Sequence, residues 1–468
     1  MKTSRRTSCA GCERLQAQLA AVQAELAQLR EQLAAARKDS STSSKPPSSD
    51  IVKPKPAAGA DGGKRALGGQ PGHPKHDREP FPPEQVTLFQ EHTLDVCPCC
   101  GGPLRRNGHF AKVVQQVDVA QPPLLIEQHT SPEYWCAQCR KPYWAAMPAH
   151  IDKGGLVGVD LTALIAFLKG ACHASFSTIR TFLRDVVGVT ISRGELSKII
   201  GKVSEALAQP YQELLLQLPN EAILNVDETG HKDNGDRWWT WCFRAELYTL
   251  YHIDAHRSAD VLLDLLGREF QGVLGCDYFS AYRRYLRECS VRLQFCLAHL
   301  IRDVKFLTTL PDARDRHYGE DLRAALKDLF AVFHQRATLA DAAFQERLQA
   351  AREEVLRVGL DAPPTRHAQN MAQRFRDHGA AYFTFVTSPG VEPTNNLAEQ
   401  ALRFVVIDRH ITQGTRSEGG RRFCERIWTV IATCVQQGQS VYSFVRAAVQ
   451  HWFAGQPAPA LLPTAGRR

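Results

Sequence analysis

Between residues 39 and 90 the chain loses every apolar period. It reads SSTSSKPPSSD and then KPKPAAGADGGKRALGGQPGHPKHDREP, dominated by Pro, Gly and Ser. Such a composition offers neither a helical stripe nor an alternating strand face to bury. The stretch therefore reads as a linker or a basic flexible arm, and the 468 residues suggest two to four domains. Between Lys45 and Arg78 it carries seven Lys or Arg against three Asp, which suits a basic arm that touches phosphates or an ordinary solvated tether.

Ahead of the stretch, Leu15, Leu19, Val22, Leu26, Leu29, Leu33 and Ala36 succeed one another in alternating steps of four and three. That is the a/d seam of a heptad repeat, and Glu25 and Arg30 fall at the g and following e positions of a parallel pair. The spacing predicts a coiled coil over 1–38. An amphipathic helix lying on the protein's own surface is the alternative, and the narrow stripe favours self-association.

Behind the stretch come CPCCGG, starting at Cys97, and CAQC, starting at Cys136, with alternating residues (Val113, Gln115, Val117, Val119) between them. Two Cys-x2-Cys knuckles supply four soft thiolates in a tetrahedral set, so Cys97, Cys100, Cys136 and Cys139 are expected to hold a structural Zn2+ in a ribbon. Four buried reduced cysteines are the plainer alternative. The pattern then turns helical over 151–218. A turn at Val187-Gly188-Val189 and an N-cap at Ser192 resemble a helix-turn-helix, with plain helix packing as the other reading.

After Asn220 the period becomes that of strands: AILNVDETG carries Asp227, RWWTWCFRAELYTLYHI reads as a hairpin, and GVLGCDYFSAY brings in Asp277. Helical sequence fills roughly 311–385, and PTNNLAEQALRFVV opens a further helix bearing Glu399. The alternation is that of an α/β arrangement. A carboxylate at the end of an apolar strand is costly to bury unpaired. Two on adjacent strands suit a divalent cation, and a third acid on a helix would complete a two-metal phosphoryl-transfer site. Against this, Asn396 and Glu399 have the spacing of a capping box, which would leave Glu399 a purely local role. After Glu399 the arginines Arg403, Arg409, Arg416, Arg421, Arg422 and Arg426 outnumber Asp408, Glu418 and Glu425, as expected of a phosphate-binding face or of a solvated charged one.

Composition narrows the class. A net charge of +8 and 44% hydrophobic residues fit a globular protein with a polyanionic partner, and exclude a disordered chain or a fibrous repeat. The most apolar stretch, 161–168, is far short of the ~18 residues a spanning helix needs. Residues 1–14 are basic without an apolar segment, so a soluble, intracellular protein with no membrane association is expected.

Taken in order, the leucine heptads, SSKPPSSD with GGQPGH, CPxCG, NVDET, CDYFSAY, CLAH and NNLAEQALR resemble the transposases of the insertion-sequence-66 family, over roughly residues 15–440. The resemblance implies a multidomain α/β protein with a ribonuclease H-like catalytic core and a helical insertion. A coiled coil, a zinc ribbon and a helical DNA-binding region would precede that core. It implies the boundaries 1–38 coiled coil, 39–90 linker, 91–150 zinc ribbon and 151–218 helix-turn-helix-like region. The core would lie at 219–310 and 386–468, divided by an insertion at 311–385. It implies a DDE triad of Asp227, Asp277 and Glu399 holding two Mg2+ or Mn2+, acting on double-stranded DNA at element ends and target. His299 is expected near this site, handling a proton or a phosphate oxygen, unless it is simply a buried, hydrogen-bonded histidine. Arg302 joins the C-terminal arginines as a DNA contact, although Asp303 weakens the basic run that family members often carry there. The remaining expectations are a homodimer or larger assembly, accessory transposition proteins, and a bacterial cytoplasmic, nucleoid-associated location. A non-catalytic zinc-ribbon regulator and a nuclease without joining activity are the alternatives.

Overall fold

The computed structural model describes residues 10–38, 80–86, 89, 99–103, 115, 124–136, 138 and 140–462. The chain divides into two units, residues 55–128 and the remainder. In the first, a single turn at Pro83–Gln85 comes just after Phe81, whose N–H donates to Gln115 Oε1 and whose carbonyl accepts from Gln115 Nε2 at 2.9 Å.

The larger unit begins with helix α1 (Ala10–Ala36) and a short antiparallel hairpin, β1 (Glu133–Cys136) and β2 (Lys141–Trp144). Next come helices α2 (Ala149–Gly154), α3 (Val159–Gly170), α4 (Phe176–Phe182), α5 (Arg193–Ala206) and α6 (Ala208–Gln217). The turn before α5 rests on Gly188 at φ 85°, and the Ser192 hydroxyl caps α5 by accepting from the Glu195 N–H. Buried Leu196, Ile199, Ile200 and Val203 give α5 one apolar face, which packs with α3 and with two helices from the C-terminal part of the chain.

A five-stranded sheet forms the centre. β3 (Ile223–Asp233), β4 (Asp236–Arg244) and β5 (Thr249–Asp254) are an antiparallel meander; α7 (Ala259–Leu266) leads to β6 (Val273–Cys276), and α8 (Ser280–Glu288) leads to β7 (Arg292–Phe295). The strand order is β5-β4-β3-β6-β7, with β6 parallel to both β3 and β7. The β3–β4 turn is Asn234-Gly235, both at positive φ (52° and 96°), the geometry that matches strand twist. Leu224, Val226, Trp241, Phe243, Leu250, Leu274 and Phe295 are fully buried around this sheet.

Helix α9 (Leu297–Leu307) runs from β7 into α10 (Ala313–Phe333), α11 (Asp341–Leu360), α12 (Arg366–His378) and the short α13 (Thr384–Thr387). The chain then returns to the sheet with α14 (Asn396–Thr412), α15 (Glu418–Gln436) and α16 (Val441–Ala454). Helix α15 covers the outer edge of β5. The N–H groups of Thr249, Tyr251 and Ile253, which have no neighbouring strand to take them, donate to Thr433, Thr429 and Glu425 at 3.2, 3.0 and 2.7 Å. Those three acceptors are spaced by four along one helical face, so one helix satisfies the three outward N–H groups of this strand edge. Among the described residues, no helix is long and apolar enough to cross a membrane.

Candidate active site

Parallel pairing of β3 with β6 sets Asn225 opposite Gly275. Continued for two residues, that register brings Asp227 level with Asp277, the first residue after β6. Asp227 therefore lies midway along a long strand, not at the end of a short one. It is still just beyond the point where its neighbour stops pairing, and taken as whole residues Asp227 and Asp277 are half-buried. Asp227 Oδ1 accepts from the Glu228 N–H and Asp277 Oδ1 from the Phe279 N–H, each at 2.8 Å.

Glu399 reaches the same place through Asn395. Asn395 is 1% exposed and immediately precedes α14; its amide donates to the Val226 carbonyl at 2.8 Å and accepts from Asn225 at 3.0 Å. Its backbone N–H donates to Cys296 Sγ at 3.2 Å. The start of α14 is thus fastened to β3 next to Asp227, and Glu399 sits one turn into the helix. Gly275 makes this junction possible: a Cβ there would lie 2.5 Å from Asn225 Nδ2. Asn395, not Asn396, flanks the helix, and its side chain turns to the sheet, so the capping box does not form.

The β7–α9 junction supplies the remaining wall. The Cys296 N–H donates to Cys276 O, and the Leu297 N–H to Pro393 O, which ties α9 to β6 and to the approach to α14. One turn on, His299 Nδ1 lies 3.6 Å from Glu399 Oε1, and Arg302 Nη2 donates to the same oxygen at 3.4 Å. Ligand atoms of Cys296, His299 and Glu399 all lie within 4.8 Å of one another. His299 Nδ1 is buried without a hydrogen-bond partner among the described residues. Burial, followed by the charges of Arg302 and Arg374, lowers the imidazole to about 3, so it stands neutral beside the carboxylate.

The electrostatics of the acids are consistent with their crowding. Burial, then the charges of Glu228 and Asp277, and lastly that of Glu399, hold the Asp227 carboxyl well above the ordinary carboxylate range, against the hydrogen bond from Glu228. Asp277 is also raised by burial, opposed by the Phe279 N–H, Arg257 and Arg374. Facing carboxyls that resist ionising together are the donor set a hard divalent cation relieves, and oxygen ligands of this kind fit magnesium or manganese.

Two groups here carry no signal of their own in the sequence. Glu228, next to Asp227 and with its side chain fully buried, accepts from Arg257 at 2.7 Å and from the Tyr282 hydroxyl at 2.5 Å. Arg374 on α12 lies on the Tyr278 ring at 3.8 Å and pairs with Asp303 at 2.7 Å, which gives Asp303 a structural partner. Only the NVDET and CDYFSAY segments, each with polar residues beside its acid, hint at such a network.

The C-terminal arginines divide. Arg409 donates to Gly230 O and Thr229 Oγ1, Arg421 pairs with Asp233, and Arg422 pairs with Glu425 at 3.0 Å. Arg403 and Arg416 are exposed. Of the expected zinc ligands, the side chains of Cys97, Cys136 and Cys139 lie outside the described residues, and Cys100 is exposed.

Comparison with known proteins places this geometry in a family. The uncharacterized protein y4qI of Sinorhizobium fredii (strain NBRC 101917 / NGR234) is 22% identical over 389 residues, covering 75% of this chain and 70% of that protein. Residues 5–79 match a family of unknown function (DUF6444). The sheet, the three acids and the helices between them lie within residues 154–422, and that span, more than half of the chain, matches the model described as "Transposase IS66 family", so the chain belongs to the transposase IS66 family.

Proposed function

We propose that the protein is a DDE transposase. It binds double-stranded DNA at the ends of a mobile element, hydrolyses a phosphodiester to free a 3′-hydroxyl, and joins that hydroxyl to target DNA. The observation that supports this best is the register of β3 with the parallel β6, which, continued past the paired residues, sets Asp227 level with Asp277 just beyond the end of β6, with the start of the Glu399 helix fastened beside Asp227 through Asn395. On this reading the sheet is the centre of a ribonuclease H-like core, and 311–385 is an insertion within it.

Asp227, Asp277 and Glu399 would hold two divalent cations, magnesium or manganese, which supply charge neutralisation at the phosphate and acidify the attacking oxygen. The chain's own work is positional. Asp227 and Asp277 are oriented by backbone N–H groups, and Glu399 by Arg302. On this reading His299, neutral and 3.6 Å from Glu399, handles a proton or a phosphate oxygen. Both displacements at phosphorus run in line, first with water and then with the 3′-hydroxyl as nucleophile, and neither needs a covalent protein intermediate. Around this core we read zinc on Cys97, Cys100, Cys136 and Cys139, a helix-turn-helix-like DNA contact from α4 and α5, pairing of two copies through α1, and further DNA contacts from the exposed arginines. A bacterial, nucleoid-associated setting, with accessory proteins as partners, belongs to the same reading.

Asp227→Asn, Asp277→Asn and Glu399→Gln should each abolish cleavage and joining while DNA binding in a gel shift is retained. Near-normal strand transfer into a plasmid by any one of the three removes that residue from the site. Cleavage by the unsubstituted protein without any joined product would make it a nuclease instead.

A further inference from the structure

Three residues beyond Asp277 the chain enters α8, and three residues beyond β5 it reaches Arg257. Between these points lies a cavity of about 300 Å³, roughly ten water volumes, lined by Arg257, Ser258, Ser280, Arg283, Arg284 and Arg287 among others. Among the described residues, none that lines it is acidic. The starts of α7 and α8, neither with an N-cap side-chain hydrogen bond, border the same space.

The four arginines are not equivalent. Arg257 is held rigidly, stacked on Phe279 at 3.9 Å and Trp239 at 4.8 Å, and bonded to Glu228 beside Asp227. Arg284 is neutralised by Asp260 and Glu288. Arg283 lies over the Tyr278 ring at 4.6 Å, and its Nε is buried without an acceptor among the described residues. Among the described residues, neither Arg283 nor Arg287 forms an ion pair, so both bring uncompensated positive charge to a concave, donor-rich site. Such a set fits a phosphodiester, which offers several oxygens to planar guanidinium forks.

We propose that this pocket binds a backbone phosphate of the DNA, flanking the bond that is cut. Its wall, Arg257, is bonded to the neighbour of one catalytic acid, and its floor begins three residues after the other, so a strand lying at the acids continues into it. This rests on the reading of the protein as a DNA transposase.

The test uses full-length protein and a fluorescein-labelled duplex of about 30 base pairs and mixed sequence. Affinity is measured by anisotropy across a salt series, because each phosphate neutralised contributes about 0.9 to the slope of log affinity against log salt. Arg283→Gln with Arg287→Gln should lower that slope by one to two and weaken binding about tenfold or more at low salt. Arg287→Gln alone, at an exposed position that the fold does not need, should lower it by about one. Arg283→Lys with Arg287→Lys should restore most of it. Arg323→Gln, on the exposed face of α10, controls for general surface charge. A slope unchanged in the double variant, or lowered equally by Arg323→Gln, overturns the pocket. Magnesium-dependent nicking of a plasmid by the unsubstituted protein is measured alongside. A lowered slope without nicking keeps the pocket and removes the transposase reading, whereas nicking with an unchanged slope does the reverse.

Discussion

Asn395 shows how much a single uncharged side chain contributes to the candidate site. It makes two buried amide hydrogen bonds and one backbone bond to a thiol, and through them it fastens the start of α14, one turn before Glu399, to β3 beside Asp227. Asn395→Ala would leave the Val226 carbonyl and the Asn225 amide without partners in a dry environment. Unsatisfied buried groups of this kind cost about 1–3 kcal/mol each, so a loss of about 2–6 kcal/mol is expected in denaturant unfolding. If Asn395 also positions Glu399, the magnesium concentration for half-maximal cleavage should rise about tenfold, equivalent to about 1.4 kcal/mol of cation binding. A destabilised variant with an unchanged magnesium requirement would leave Asn395 a structural role only. The acids themselves are legible in the sequence because a carboxylate in an apolar strand is conspicuous. Asn395 is legible only as a neighbour of a helix cap, since its partner Asn225 is 170 residues away and no local pattern joins them.

At the scale of elements, local signals show in the sequence and tertiary ones largely do not. Gly188 and Ser192 mark the α4–α5 turn through backbone freedom and a hydroxyl cap, effects that act within a few residues. β3 is legible only in its first half. Its polar continuation, His231-Lys232-Asp233, stays in the strand because β4 pairs with it and because Thr415 and Arg421 bind Asp233 from the far side of the sequence. The covering of β5 by α15 is of the same kind, since nothing in a run of Glu425, Thr429 and Thr433 announces a strand edge. Thr429→Val and Thr433→Val keep the shape of each side chain but remove the acceptor for a buried N–H. Each should cost about 1–3 kcal/mol, and backbone amides of Thr249 and Tyr251 should exchange faster in deuterium exchange. Unchanged exchange at both amides would show that α15 holds the edge by apolar packing alone.

For the whole molecule, the proposed transposition requires two DNA ends to be brought together, since one site cannot readily process both. In a single copy, the α1 seam from Leu15 to Leu33 has no partner among the described residues: its apolar residues are between 46% and 67% exposed. The end of the helix is nonetheless anchored, with Glu31 Oε1 2.8 Å from His367 Nε2 and Lys38 Nζ 3.6 Å from the Phe306 ring centre. An anchored helix that presents an a/d stripe outward is suited to pairing with a second copy, although about three heptads give only marginal affinity on their own. Binding of two copies to linked ends raises their effective concentration and should drive the pairing. Deleting residues 1–38 should therefore weaken the paired-end complex in a gel shift more than the single-end complex. Because that deletion also removes the Glu31 and Lys38 contacts, Leu19→Glu with Leu26→Glu is the sharper variant: it charges the seam and leaves the anchor in place. Selective loss of the paired-end complex in this variant assigns pairing to the seam. Equal loss of both complexes, or loss of neither, would assign α1 to folding against α9 and α12 and leave the pairing surface elsewhere.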